Sequence, residues 1–273
     1  YAFFAVIFQG EIGEINRNFI YSIPFVAGAV LIWFLIAFAS HSALIKLATK
    51  SKTLDRKDNM RIYNLTENLC MSVGMTMPKL YIIESTALNA FASGINTKSF
   101  AVTLTTGIIE TLDDEELEGV IAHELTHIRN RDVRLLIISI IFVGILGFLV
   151  QILFRSLIYG GSSRRKDNKM DGRVMIIALL IAIVVYILTM LFKFALSRKR
   201  EYLADAGAVE MTKNPEAMAN ALRKISGNHE LDVKSGDVKQ MFIENAPAKK
   251  GLFSGISGLF STHPPIEKRI SFL

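Results

Sequence analysis

The chain has 273 residues, of which 51% are hydrophobic and 21% are charged, and its formal net charge is +6. It is too apolar for an ordinary soluble domain, so its composition predicts a membrane part together with one globular domain. The single cysteine, Cys70, excludes an internal disulfide and a site built from several cysteine ligands, and we expect a buried structural thiol. Basic residues flank the apolar runs, which favours an anionic membrane surface over nucleic acid as a partner.

The N-terminal region contains two apolar runs of different length. Residues 1–8 are too few to cross a bilayer, and a short polar loop is expected over residues 11–17. Residues 19–39 carry no charge and are long enough to span the hydrocarbon core. Five basic residues follow this run: Lys46, Lys50, Lys52, Arg56 and Lys57. The positive-inside rule therefore predicts that an N-terminal membrane region, residues 1–45, leads into the cytoplasm.

Residues 46–134 alternate between helical and strand-like patterns, which predicts the first part of an α/β (α+β) domain. Helical spacing covers residues 59–74, and strand-like runs cover residues 79–83, 89–94 and 100–104. A further helix is expected to begin after Asp113, because Glu116 lies three residues later as a capping-box partner.

This last helix carries the motif His123-Glu124-Leu125-Thr126-His127. Residues i and i+4 share a helix face, so His123 and His127 can direct both imidazoles at one zinc ion. Glu124 lies beside the first ligand, where it can reach a water molecule on that metal as a general base. The alternative is that the two histidines have this spacing by chance.

A catalytic zinc site needs a third protein ligand. The form of the motif that continues on the same helix is excluded, because its remaining positions hold Asn130 and Val133. Glu201 is the expected third ligand, on a second helix, and Asp205 one turn later is expected to orient a ligating histidine. A solvated, charged helix end is the alternative for this stretch, and Glu210 and His263 would be the next ligands to consider.

Two further apolar runs, residues 135–154 and 174–192, predict a membrane hairpin over residues 135–196, although a buried core could also contain them. If they span the membrane, they must cross an even number of times, because the zinc helix and Glu201 have to meet. Residues 197–273 then form the second part of the catalytic domain. They include a helix that begins at Pro215, a surface segment over residues 230–259 and a terminal helix over residues 266–272.

Four segments together resemble the HtpX-type membrane metalloproteases, which are related to the CAAX prenyl endopeptidases. They are the histidine motif at 123–127, Arg131-Asp132, residues 198–205 and Thr262-His263-Pro264-Pro265. The resemblance implies a multi-pass protein of the bacterial inner membrane, a role in protein quality control and stress response, and a first membrane helix truncated in this chain. It also implies that His263 lies near the active site and could stabilise the transition state, although a structural helix cap is the alternative.

The sequence thus predicts an α-helical membrane protein with a zincin-like α/β catalytic domain on its cytoplasmic side and one Zn²⁺ ion per chain. The expected activity is endopeptidase cleavage of membrane proteins or unfolded polypeptides by zinc-activated water. One alternative is a CAAX-type peptidase acting on prenylated peptides, and the short membrane part argues against it. The other is a membrane scaffold with a structural zinc, which would have no use for Glu124.

Overall fold

The structure is a computed structural model of the chain, and it describes residues 12–159, 172–226 and 264–273. Over these residues the protein is mostly helical with one small mixed sheet. The helices, in chain order, are α1 (Ile12–Thr49), α2 (Met60–Ser72), α3 (Thr106–Thr111), α4 (Asp114–Arg129), α5 (Asp132–Tyr159), α6 (Gly172–Thr212), α7 (Pro215–Ile225) and α8 (Ile266–Phe272). The strands are β1 (Lys52–Thr53), β2 (Lys79–Ile83), β3 (Ala90–Ser93) and β4 (Ala101–Thr105).

The chain divides into two compact units. The helical unit comprises Tyr1–Ala39 and Ser139–Phe192, and the sheet unit comprises Ser40–Ile138 and Lys193–Leu273. Helices α1, α5 and α6 each contribute residues to both units.

Within the helical unit, apolar side chains are exposed on α1. Leu31, Ile32 and Leu35 are between half and two thirds exposed, which is costly in water and favourable in lipid. Among the described residues, one stretch, Gly28–Thr49, is long and apolar enough to cross a membrane. This stretch overlaps the predicted span at residues 19–39 and extends beyond it, and the crossing of the predicted hairpin stays a prediction.

One sequence prediction about a helix end is wrong. The polar loop expected over residues 11–17 is helical from Ile12 onward, as part of α1. Glu14 and Arg17 are residue types that favour a helix. Charged residues in a cluster indicate contact with water, which is possible in a helix as well as in a loop. Helix α6 runs unbroken from Gly172 to Thr212, so Glu201 lies on the same helix as the apolar run before it.

The sheet has the strand order β1-β2-β4-β3, so that β3 forms one edge. Strand β4 pairs in parallel with β2 and antiparallel with β3, with Ala92 opposite Val102. The three strands expected from the sequence are confirmed within one or two residues at each end. The two-residue strand β1 and the six-residue helix α3 were not predicted, because elements this short carry little periodic signal.

Local capping explains where the helices of the sheet unit begin. Asp113 and Glu116 form the predicted reciprocal capping box at the start of α4. Asn59 caps α2, and Asn214 caps α7 ahead of Pro215. A cap of this kind stabilises a helix by about 1 kcal/mol, so these residues favour the observed helix starts.

Helix α4 occupies the centre of the core of the sheet unit. Its residues Leu117, Val120, Ile121 and Leu125 are fully buried. Gly207 of α6 lies so close to Thr126 that a Cβ atom at this position would clash with the threonine side chain. This close approach of the two helices brings Glu201 to the two histidines. Cys70 is buried as predicted, and burial raises the pKa of its thiol to about 11.

Candidate metal centre

Three side chains predicted to bind metal converge in the sheet unit. His123 and His127 come from α4 and Glu201 comes from α6, and their ligand atoms all lie within 4.8 Å of one another. The two Nε2 atoms are 3.2 Å apart. Oε2 of Glu201 is 3.6 Å from Nε2 of His123, and its Oε1 is 3.4 Å from Nε2 of His127.

These distances fit a tetrahedral metal ion. Zinc–ligand bonds of about 2.0–2.1 Å at tetrahedral angles place neighbouring ligand atoms roughly 3.3 Å apart. Two imidazoles and one carboxylate are also a donor set that zinc accepts while keeping one position for water. Glu210, the other acidic candidate for third ligand, instead pairs with Arg129 at 3.6 Å.

Each histidine is held by a carboxylate behind it. Nδ1 of His123 is 2.9 Å from Asp205, which was predicted, and Nδ1 of His127 is 3.2 Å from Asp132, which was not. Both imidazoles therefore direct Nε2 towards the cluster and Nδ1 towards an acidic partner, which is how ligating histidines are usually oriented. Arg131 turns the chain between α4 and α5 in the left-handed region, with φ 61°, and Asp132 follows it directly.

Arg269 of α8 completes this arrangement, and sequence reasoning missed it. The side chain is fully buried, and it donates hydrogen bonds of 2.9 and 2.6 Å to the two carboxylate oxygens of Asp205. Its Nη1 is also 3.5 Å from Oε2 of Glu201. The available signal in the sequence was that Arg269 lies three residues after Ile266, on the same face of the predicted terminal helix.

The charges around the cluster favour a cation. With both imidazoles neutral, four carboxylates face two guanidinium groups, so that two negative charges remain in excess. The acidic groups are Glu124, Asp132, Glu201 and Asp205, and the basic groups are Arg200 and Arg269. A divalent metal ion would balance this excess, and neutral imidazole is the form in which histidine binds metal.

The pKa shifts have the same electrostatic origin. Burial lowers the pKa of His127, but its hydrogen bonds to Asp132 and Glu201 outweigh burial and raise the pKa to about 10. Burial would raise the pKa of Asp205, whereas the charge and hydrogen bonds of Arg269 lower it to about 2. Asp205 therefore stays ionised behind His123 at neutral pH.

Glu124 has a different environment from the other carboxylates. Its side chain is 1% exposed, and burial raises the pKa of the carboxyl group, although the neighbouring histidines oppose this shift. The backbone of Ala92, on edge strand β3, also hydrogen-bonds to Glu124 and favours the carboxylate. A buried carboxylate with a raised pKa is a better proton acceptor than an exposed one.

Comparison with known proteins assigns a family. The family model described as Peptidase family M48 matches residues 56–273, which is most of the chain. The chain belongs to peptidase family M48. The predicted resemblance and the predicted metalloendopeptidase activity are thereby confirmed, whereas the roles of individual site residues stay predictions.

Sequence relatives agree with this assignment. The chain is 57% identical over 263 residues to a Protease HtpX homolog of Bacteroides fragilis, covering 94% of this chain and 81% of that protein. It is 36% identical over 249 residues to a Protease HtpX homolog of Lactobacillus acidophilus, covering 89% and 82% of the two chains. These relatives support a membrane metalloprotease, as the sequence predicted.

One solved structure shares the fold. The crystal structure of S. mikatae Ste24p aligns with a TM-score of 0.51 and 19% sequence identity, covering 96% of this chain. This chain spans 65% of the length of the Ste24p chain. At this identity the likeness shows a common fold and no more.

Proposed function

We propose that this M48 peptidase is a zinc-dependent endopeptidase of the inner membrane that cuts membrane proteins or misfolded polypeptides in quality control. The observation that carries the proposal is the convergence of His123, His127 and Glu201 at separations that suit one tetrahedral metal ion. Glu124 adds a buried proton acceptor next to the first ligand.

In this proposal the three ligands hold one zinc ion per chain. Bound zinc would supply Lewis acidity, lowering the pKa of a water molecule and stabilising charge that develops on the carbonyl oxygen. Asp205 and Asp132 keep Nε2 of the two histidines directed at the ion, because each accepts the proton on Nδ1. Arg269 holds Asp205 in place and keeps it ionised.

Glu124 is the proposed general base and acid. Its carboxylate takes a proton from the attacking water and later gives it to the leaving amine. Burial keeps this carboxylate away from bulk water, so its raised pKa is set by the protein. A structural metal site would gain nothing from a buried proton acceptor, which argues against the scaffold alternative.

Edge strand β3 is the proposed substrate-binding element of a zincin-like catalytic domain. An extended peptide can bind by adding a strand to an exposed sheet edge, where main-chain hydrogen bonds hold it with little dependence on sequence. Strand β3 is the edge next to β4, its four residues are buried in this structure, and the backbone of Ala92 hydrogen-bonds to Glu124. A peptide along this edge would therefore run past the proton acceptor, and this geometry suits polypeptide substrates of varied sequence.

We further propose that residues 1–45 and 135–196 form the membrane part and that residues 46–134 and 197–273 form one cytoplasmic catalytic domain. Helix α5 begins five residues after His127, so its apolar run starts close to the zinc site. The basic residues that follow the first apolar run support the cytoplasmic side. A role for His263 remains a proposal from the family resemblance, because this residue lies outside the described residues.

The test of this function compares two variants of glutamate on α4. Glu124→Gln should keep bound zinc but lose at least about 100-fold in cleavage of an unfolded membrane protein, because the metal ligands remain and the base is lost. Glu118→Gln, the same substitution six residues earlier on the same helix, is the control and should cleave normally. Metal content and turnover are measured on the same preparations, and cleavage at parental rate by zinc-loaded Glu124→Gln would refute the mechanism.

A further inference from the structure

A small cavity lies in the sheet unit, between the C-terminal part of α1 and one face of the sheet. Its volume is about 90 Å³, which is enough for several water molecules. The residues that line it from the sheet share one face, because Lys79 pairs with Ala101 and Tyr81 pairs with Thr103 across β2 and β4. None of the predicted metal ligands lines this cavity.

Three lysines surround the cavity, and no acidic residue lines it. Lys46 comes from α1, Lys79 from β2 and Lys98 from the turn between β3 and β4. All three are exposed, and within the described part of the chain none of them forms a salt bridge. The ammonium group of Lys46 lies 5.3 Å from the ring centroid of Tyr81. Three positive charges without acidic partners therefore converge on one small space.

Two hydroxyl groups from mostly buried residues also face this space. Ser93 is 7% exposed and Thr103 is 2% exposed, and both line the cavity. Neither side chain hydrogen-bonds to another group among residues 12–159, 172–226 and 264–273. Their hydroxyl oxygens are accessible from the cavity, where water can hydrogen-bond to them. These two donors are therefore available to a ligand that brings acceptor oxygens.

We propose that this cavity is an oxyanion site that binds a phosphate group. A phosphate offers several acceptor oxygens and a negative charge, which matches three lysines around two hydroxyl donors. The headgroup of an anionic phospholipid is one source of this chemistry, because Lys46 lies near the end of the apolar stretch Gly28–Thr49. Dissolved inorganic phosphate is the other source. The site does not depend on the metal centre or on catalysis.

The test measures binding with two probes to the full-length protein in a neutral detergent. One arm adds short-chain phosphatidylglycerol, with phosphatidylcholine as the uncharged comparison, and the other arm adds inorganic phosphate. Apparent dissociation constants come from the rise in Tm with ligand concentration. The double variant Lys79→Gln/Lys98→Gln removes two charges from the cavity. The matched control Lys57→Gln/Lys268→Gln removes two exposed lysines that do not line it.

Each lysine near an anionic lipid surface should contribute about five-fold in affinity, so the cavity double variant should bind about 25-fold more weakly than the control. Thr103→Val, which keeps the side-chain shape and removes one donor, should weaken binding without adding or removing charge. If the double variant fails to fold, the binding affinity of Thr103→Val tests the proposal instead. If these variants lose binding of phosphatidylglycerol, the lipid headgroup is the source of the phosphate. If they lose binding of inorganic phosphate in the same way, dissolved phosphate is the source. If the cavity variants bind both probes as the control does, or the parent binds neither, the proposal is wrong.

Discussion

The buried pair of Arg269 and Asp205 offers a direct test of how the metal centre is held. Arg269→Met keeps much of the side-chain volume but removes the charge and both hydrogen bonds, of 2.9 and 2.6 Å, to Asp205. Because both side chains are completely buried, water cannot replace the lost partner. Removing one member of a buried ion pair costs about 3–5 kcal/mol, since the other charge stays buried and unpaired.

The same substitution should weaken metal binding. Asp205 would lose the group that holds it against Nδ1 of His123, and loss of such outer contacts lowers metal affinity by about 10–100-fold. Arg269→Lys should fall between the parent and Arg269→Met, because lysine keeps the charge but cannot reproduce the two-pronged contact. Lys268→Met, on the exposed side of the same helix, should change neither stability nor affinity.

The assay combines urea unfolding in detergent with competition for zinc against a chelator of known affinity. The double variant Asp205→Asn/Arg269→Met completes a double-mutant cycle with the two single variants. The interaction free energy between the two sites should be about 0.5–3 kcal/mol, because the second substitution removes a charge that the first has left unpaired. If Arg269→Met unfolded at the same urea concentration as Lys268→Met and held zinc equally well, Arg269 would have no part in positioning the site. Purely additive effects would refute the pairing as the cause.

Three further outcomes are expected. Glu201→Ala should lose most of the bound zinc in chelator competition, and parental zinc affinity would mean that another residue is the third ligand. Asp132→Asn should lower zinc affinity by about 10–100-fold through His127 without changing metal stoichiometry at saturating zinc, whereas an unchanged affinity would show that Asp132 does not orient the ligand. The single variants Lys57→Cys and Glu216→Cys, both at exposed positions, should resist a membrane-impermeant thiol reagent in intact cells and react after lysis. Cys70 should stay unlabelled in the folded protein, because it is buried and the pKa of its thiol is raised to about 11. Labelling of only one of the two positions in intact cells would contradict a catalytic domain on one side of the membrane.

Several parts of the metal centre could be predicted because their physical basis is local. His123 and His127 share a helix face by spacing alone, and Asp113 and Glu116 fix the start of that helix. Strands β2, β3 and β4 could be predicted because each lies in a run of apolar or β-branched residues. Glu201 and Asp205 could be proposed together since they are one turn apart, and the structure adds the close contact between Gly207 and Thr126.

Other features depend on contacts between residues far apart in sequence, which no local pattern encodes. Arg269 meets Asp205 across 64 positions of sequence, and this contact exists only after α8 has packed into the sheet unit. The position of β3 at the sheet edge follows from strand order, and the lysine-lined cavity follows from the C-terminal part of α1 lying over one face of the sheet. The sequence by itself determined the longer elements of the sheet unit and the candidate metal ligands, because short-range spacing and capping control them. Only the tertiary structure decided which distant charges hold those ligands and which lysines and hydroxyls face one cavity, because long-range packing alone brings such groups together.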